Sequence, residues 1–178
     1  IRPVIDRNLQ PVSRLGRHPS RFRLVGTPAI TVLLGSLVTA LPIVAQSPVV
    51  PPFGLLLLLS WRLLRPEMWR AWIALPLGLF DDMTSGQPIG SAMFLWTVTL
   101  IAIDTVEQRL LWRDYRQDWL IAAIAILFCI SGGLFFVRVT GGGNVGLWLV
   151  LPQIIWTILL FPFVVRQCAR IDHWRVMA

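Results

Sequence analysis

Long apolar runs separated by short arginine-containing stretches are the feature that most constrains how this chain folds. Because a helix rises about 1.5 Å per residue, roughly 20 apolar residues are needed to cross a hydrocarbon core about 30 Å thick. The third run is short for a span and stops at two adjacent acids, so a broken or re-entrant segment stays open there. The sequence predicts an all-α membrane protein with six transmembrane helices, at residues 28–45, 50–64, 69–80, 91–108, 119–137 and 147–165.

Composition makes lipid the natural solvent for the chain and argues against nucleic acid as a partner. The 178 residues are 56% hydrophobic and 14% charged, whereas soluble domains carry about 25% charged residues. In water such a chain would expose large apolar patches. The net charge is +7, but the arginines sit at the ends of apolar runs rather than on one face or arm, which is the pattern that nucleic-acid binding needs.

The distribution of arginines orients the six segments, because cytoplasmic loops retain basic residues. With the N-terminus inside, the inner segments 1–27, 62–70, 109–118 and 166–178 hold six, three, three and three arginines, and only Arg138 lies outside. We therefore expect a multi-pass protein of a bacterial inner (plasma) membrane with both termini cytoplasmic. Its three parts are an arginine-rich tail at 1–27, a six-helix membrane domain at 28–165 and a basic tail at 166–178.

Two adjacent acids, Asp81 and Asp82, open the outer connection between the third and fourth segments. Paired carboxylates can do acid–base work or hold a metal, but the two histidines, His18 and His173, lie in the opposite tails. The glycines and the proline of this connection let the backbone turn tightly. We expect one aspartate to cap the next turn or bind loop amides and the other to face the outer aqueous side, with a functional pocket or partner contact as the alternative.

Asp104 and Glu107 lie in the inner third of the fourth segment. Ionisable groups at membrane depth are costly unless they pair or reach the interface. We expect an intramembrane ion pair with Arg62 or Arg109. A proton relay would need further acids or histidines along the path, and the sequence offers none.

No catalytic pattern is visible in the sequence. The stretch 141–144 lacks the Gly-Lys-Ser/Thr ending of a phosphate loop. Cys129 and Cys168 form neither a disulfide framework nor a metal site. We therefore predict a protein that is not an enzyme and has no catalytic residues, cofactor or metal.

One motif in the third segment and the following turn consists of Gly78, Asp82, Ser85, Gly86 and Gly90. It is a glycine, an aspartate four residues on, then Ser-Gly, then a glycine four residues later. This pattern resembles that of MreD, a family of small multi-spanning rod shape-determining proteins, with Asp82 rather than its neighbour at the aspartate position. The family fold resembles the substrate-binding subunit of energy-coupling-factor transporters, which implies a compact six-helix bundle with a small cavity opening outward.

The resemblance implies a non-enzymatic scaffold of the cell-elongation (rod) complex that supports peptidoglycan synthesis along the side wall. The implied partners are MreC, RodA, a class B penicillin-binding transpeptidase, membrane lipids and, directly or indirectly, MreB. The outer turn is then the candidate pocket or partner surface. Its candidate residues are Gly78, Asp81, Asp82, Ser85, Gly86, Pro88 and Gly90.

Two other classes of function compete with the scaffold. The first is a vitamin-binding subunit of an energy-coupling-factor transporter, although the outer loops hold few groups to grip a polar ligand. The second is an intramembrane enzyme, for which no constellation lies on a common side. The polar outer groups are Asp81, Asp82, Gln87, Arg138 and Asn144.

Overall fold

All regular secondary structure in the described part of the chain is helical, as the sequence predicts. A computed structural model describes residues 21–39, 50–109, 114–141 and 146–177. Within these ranges there are six α-helices, one short 3-10 turn at Ala71–Ile73 and no strand. The helices are α1 (Arg21–Thr39), α2 (Phe53–Leu64), α3 (Ala74–Ser85), α4 (Ser91–Glu107), α5 (Tyr115–Val139) and α6 (Leu147–Met177).

The helix ends differ from the apolar runs. α1 begins at Arg21 rather than at residue 28, and α6 continues to Met177 rather than ending at residue 165. Apolar length marks where a helix lies in hydrocarbon, whereas arginines and other good helix formers extend the same helix into a polar region. Residues 1–20 of the predicted N-terminal tail and 40–45 of the first predicted segment lie outside the described residues.

α3 corrects the prediction for the third segment. The chain passes through the 3-10 turn and then forms a helix that includes both acids and ends only at Ser85. Asp81 and Asp82 therefore belong to a helix rather than to the connection after it. Hydropathy missed this turn of helix because the charged pair interrupts the apolar run while leaving the backbone hydrogen bonds intact.

The helices pack as a closed ring, in the order α1, α2, α6, α5, α4, α3 and back to α1. α2 lies deepest: nearly every residue from Gly54 to Leu63 is buried. Its leucines join the core formed with the other helices, and burying a leucine side chain stabilises a fold by about 1.5–3 kcal/mol in water-soluble proteins. In lipid, close packing supplies the corresponding stability.

Several polar side chains of the core are hydrogen-bonded within the bundle. The indole N–H of Trp61 in α2 donates to the Thr31 hydroxyl of α1 at 2.9 Å. The Gln153 amide of α6 donates to the Val50 carbonyl at 2.9 Å, so it fastens the start of α6 to the chain that enters α2. Such bonds matter in a membrane, where no bulk water can replace a missing partner.

α5 and α6 expose apolar surface over most of their length. Both are long and apolar enough to cross a membrane, and only 39% and 17% of their most apolar windows are buried. The core helix of a soluble protein would be mostly buried, so these exposed surfaces fit contact with lipid. α1 and α2 contribute shorter apolar stretches, Gly26–Thr39 and Phe53–Leu64. The exposed side chains of α5 and α6 include Leu120, Ile124, Leu127, Phe128, Phe135, Ile155, Trp156, Leu159 and Phe163.

Candidate functional site

The turn between α3 and α4 is built by glycine and proline. Gly86 ends α3 with φ of 69°, and Gly90 precedes α4 with φ of 96°. These left-handed conformations are open to glycine but strained for other residues. Pro88 directs the chain between them, and its carbonyl accepts a hydrogen bond from the Ser91 amide at 3.0 Å. The chain thus leaves one helix and enters the next within five residues, 86–90.

Asp82 caps the N-terminus of α4 from the neighbouring helix. Its carboxylate accepts hydrogen bonds from three backbone amides: Ala92 at 2.8 Å, Gly90 at 2.9 Å and Met93 at 3.3 Å. The Ser91 hydroxyl donates a fourth at 3.0 Å. The first amides of a helix have no partner within it, and negative charge there is favoured by the helix dipole. A buried aspartate with four donors therefore locks α3, the turn and α4 together.

Asp81 lies in a different environment. From the sequence we expected the aspartate that does not cap α4 to face the aqueous side. Asp81 is that aspartate, but it is only 8% exposed. It points toward α1 and α2, where the Ser36 hydroxyl lies beside it without reaching good hydrogen-bond geometry. Gly54 of α2 leaves room for the carboxylate, since a Cβ at that position would come within 2.9 Å of Asp81 Oδ1 and closer still to Ser36 Oγ.

A cavity of about 170 Å³ opens beside Asp81 at this end of the bundle. It lies between the starts of α2, α4 and α6 and the ends of α3 and α5. Its polar lining comes from Asp81, Gln87 and Gln153, and its apolar wall includes Leu55, Trp96 and Val137.

The other residues of the motif serve the turn or the helix contact. Ser85 and Gly86 are exposed, and Pro88 and Gly90 are partly buried in the turn. Gly78 is buried where α3 crosses α4. Among the described residues, no group of three or more His, Cys, Asp or Glu side chains could hold a metal ion.

At the opposite end of the bundle, Arg62 contacts both of the acids singled out in α4. Its Nη2 donates to Asp104 and, at 2.7 Å, to Glu107 Oε2. The Arg62 side chain is only 4% exposed, so the charges compensate one another in a poorly solvated place. Arg109, the other partner considered from the sequence, is exposed.

Sequence reasoning missed a second ion pair at this end. Arg65, just after α2, binds Asp172 near the end of α6 through Nε at 3.0 Å and Nη2 at 2.8 Å. The available signal was an acid, Asp172, placed among the arginines of the C-terminal segment. The pair ties the end of α2 to the end of α6.

The cap on α4 gives a first testable prediction. Replacing Asp82 with alanine removes the acceptor of three amides, and we expect the free energy of unfolding to fall by about 1–2 kcal/mol. Asp82→Asn keeps one acceptor oxygen and should lose less. Urea or SDS titration of the purified protein, followed by circular dichroism, measures both. Equal stability of Asp82→Ala and the parent chain would contradict the capping role.

Comparison with known proteins gives one match, and it covers most of the chain. The family model described as rod shape-determining protein MreD matches residues 20–171. No curated protein and no solved structure matches the chain. The matched region contains all six helices except the end of α6, together with the capped turn and its aspartate. The chain therefore belongs to the MreD family of rod shape-determining proteins.

Proposed function

We propose that this protein is a non-enzymatic scaffold of the rod complex, embedded in the inner membrane by six spans with both termini in the cytoplasm. It supports side-wall peptidoglycan synthesis through MreC, RodA and a class B penicillin-binding transpeptidase, with MreB beneath the membrane. Family membership supports the role in rod shape. The partners and the turn between α3 and α4 as a contact surface form our proposal.

The two ends of the bundle support the proposed orientation. Arg65 binds Asp172, and Arg62 binds Glu107, so the segment 62–70, the end of α4 and the end of α6 meet at one end. Segment 62–70 and the end of α6 belong to arginine-containing segments that the sequence predicts to be cytoplasmic, and the end of α4 leads directly into a third, 109–118. The capped turn and the cavity occupy the other end, which then faces the periplasm.

The observation that carries the proposal is the exposed apolar surface on the capped turn. Met83 is 72% exposed and Ile89 is 80% exposed, and they flank a backbone that Asp82 holds in one conformation. A rigid turn loses little conformational entropy on binding, so exposed apolar groups there make an efficient contact. We assign this surface, defined as residues 83–90, to the periplasmic partner MreC.

The first experiment is an affinity pulldown of the tagged protein from membranes in mild detergent, with mass spectrometry of the proteins recovered. We expect MreC together with wall-synthesis proteins. Recovery of an ATPase pair and a coupling subunit, with no wall-synthesis protein, would instead assign the chain to transport. The cavity already disfavours a vitamin-sized ligand, because about 170 Å³ is below the roughly 300–1,000 Å³ of ligand pockets.

A surface variant separates partner contact from folding. Ile89→Asp places a charge on a side chain that the bundle does not bury, so the protein should accumulate normally. We expect its association with MreC to weaken by about tenfold or more, since a central apolar contact is worth about 2 kcal/mol or more, and we expect rod shape to be lost on complementation. Val139→Asp is the matched control, because Val139 is 67% exposed at the same end but lies on α5. Unchanged association and shape in both Ile89→Asp and Asp82→Ala would remove the turn as a contact surface.

A further inference from the structure

The cavity beside Asp81 exposes a buried carboxyl group for which the described residues supply no ion pair. Among the described residues, ion pairs involve Arg62 with Asp104 and Glu107, and Arg65 with Asp172, but not Asp81. Asp82, one residue away, receives four hydrogen bonds, whereas the hydroxyl beside Asp81 does not reach good geometry. A carboxylate in a poorly solvated place is costly unless a cation or several donors compensate it.

We infer that this cavity binds an organic cation, a primary ammonium or guanidinium group carried on a short aliphatic stem, with Asp81 as its counter-ion. The cavity supplies what such a group needs besides charge. Gln87 and Gln153 line it, and because the Gln153 amide nitrogen already donates to the Val50 carbonyl, its oxygen is left as an acceptor. Trp96 also lines the cavity, and tryptophan is the side chain best suited to a cation–π contact.

The size and the wall of the cavity set the class of ligand. A cavity of about 150 Å³ in another protein accommodates benzene, which has six non-hydrogen atoms, so about 170 Å³ has room for a ligand of about this size. A butylammonium ion has five non-hydrogen atoms and matches this volume. Its stem would lie against apolar wall residues such as Leu55 and Val137. An inorganic cation would leave this apolar wall without contacts.

A second feature keeps the space beside Asp81 open. Gly54 of α2 faces Asp81, Ser36 and Trp96, and any larger residue there would displace them, since its Cβ would lie 3.3 Å from the Trp96 ring and 2.9 Å from Asp81 Oδ1. Glycine at this contact therefore keeps the carboxylate accessible from the cavity.

The test uses the full-length protein in detergent micelles with n-butylammonium chloride as the probe. We expect a saturable rise in the unfolding temperature, because a ligand that binds only the folded state stabilises it. n-Butanol and sodium chloride at the same concentrations are controls for the stem and for ionic strength. A rise of equal size with n-butanol, or no rise with butylammonium, would overturn the inference.

Two variants identify the site. Asp81→Asn removes the charge and keeps the shape, so we expect butylammonium to bind about tenfold or more weakly, the loss typical of a hydrogen bond to a charged group. Val137→Phe leaves the carboxylate in place and fills the cavity from its apolar wall, so it should also weaken binding. Asp82→Asn is the matched control, since that carboxylate is occupied by α4. Butylammonium stabilising Asp81→Asn and Val137→Phe as strongly as the parent would place the probe elsewhere and contradict the inference.

The source of the cation is either a free amine or a lysine or arginine side chain of a partner. A pulldown with Asp81→Asn distinguishes the two. Loss of a protein that Val139→Asp retains points to a partner side chain, whereas unchanged recovery points to a free amine. The inference does not depend on MreC as the partner, because the probe experiment uses the isolated protein and Ile89→Asp tests the contact surface separately.

Discussion

Replacing Arg62 with methionine should lower the free energy of unfolding by about 3 kcal/mol. Methionine keeps the unbranched stem but leaves Asp104 and Glu107 without their shared cation. Breaking a buried ion pair from one side costs about 3–5 kcal/mol, and the low end applies because the Asp104 side chain is 34% exposed. Equilibrium unfolding of the purified protein in mixed micelles measures the change.

We expect Arg62 to stabilise the protein by compensating the charges of Asp104 and Glu107 rather than by packing. A triple variant separates these two effects. Arg62→Met combined with Asp104→Asn and Glu107→Gln removes all three charges, so most of the lost stability should return. Arg166→Met is the control for a loss of positive charge at an exposed site of α6. A triple variant no more stable than Arg62→Met would show that the arginine acts through its packing.

Replacing Gly78 with alanine should lower the free energy of unfolding by about 3 kcal/mol, the upper part of the usual range for an overpacked contact. A Cβ at this position would lie 2.6 Å from Met93 Cα and 2.7 Å from Met93 N. Both atoms belong to the backbone, so no side chain can move aside and α3 must separate from α4. We also expect the separation to pull Asp82 away from the amides of Ala92 and Met93, which adds the loss of the cap.

Gly26 provides the matched control for this substitution. It also lies in a helix, but a Cβ there would meet no atom within 4 Å. Gly26→Ala should therefore leave stability unchanged or raise it by up to about 1 kcal/mol through helix propensity. Similar unfolding free energies for the two alanine variants would exclude a close contact between α3 and α4 at Gly78.

The helical class was predictable because hydropathy alone predicts segments long enough for membrane helices. The helix boundaries were not predictable, because α1 includes Arg21 and α6 continues past Asp172, and both residues lie outside the apolar runs. The polar residues at these ends are helical although they lie outside the apolar run. Hydropathy marks only where the apolar run ends, not where the helix ends. The third segment shows the same effect, since α3 includes two acids that end the apolar run.

The candidate site also has features that were predictable from the sequence and features that were not. The glycines and Pro88 predicted a tight turn, and a cap on the next helix by an aspartate was one of the alternatives. The different roles of Asp81 and Asp82 could not be predicted, because they depend on tertiary contacts. Asp82 faces α4, whereas Asp81 faces Ser36 and Gly54, which come from helices much earlier in the chain.

The length of α6 has a mechanical consequence for the bundle. At about 1.5 Å per residue its 31 residues extend roughly 46 Å, well beyond a hydrocarbon core of about 30 Å. The same helix thus contains Gln153, which lines the cavity, and Asp172, which forms the ion pair with Arg65. A displacement of the first turns of α6 moves its C-terminal end as well, unless the helix bends. Kinks in helices occur at proline, and α6 contains Pro152 and Pro162. The stiffness of α6 at these two prolines then decides whether a force applied at one end of the bundle reaches the other.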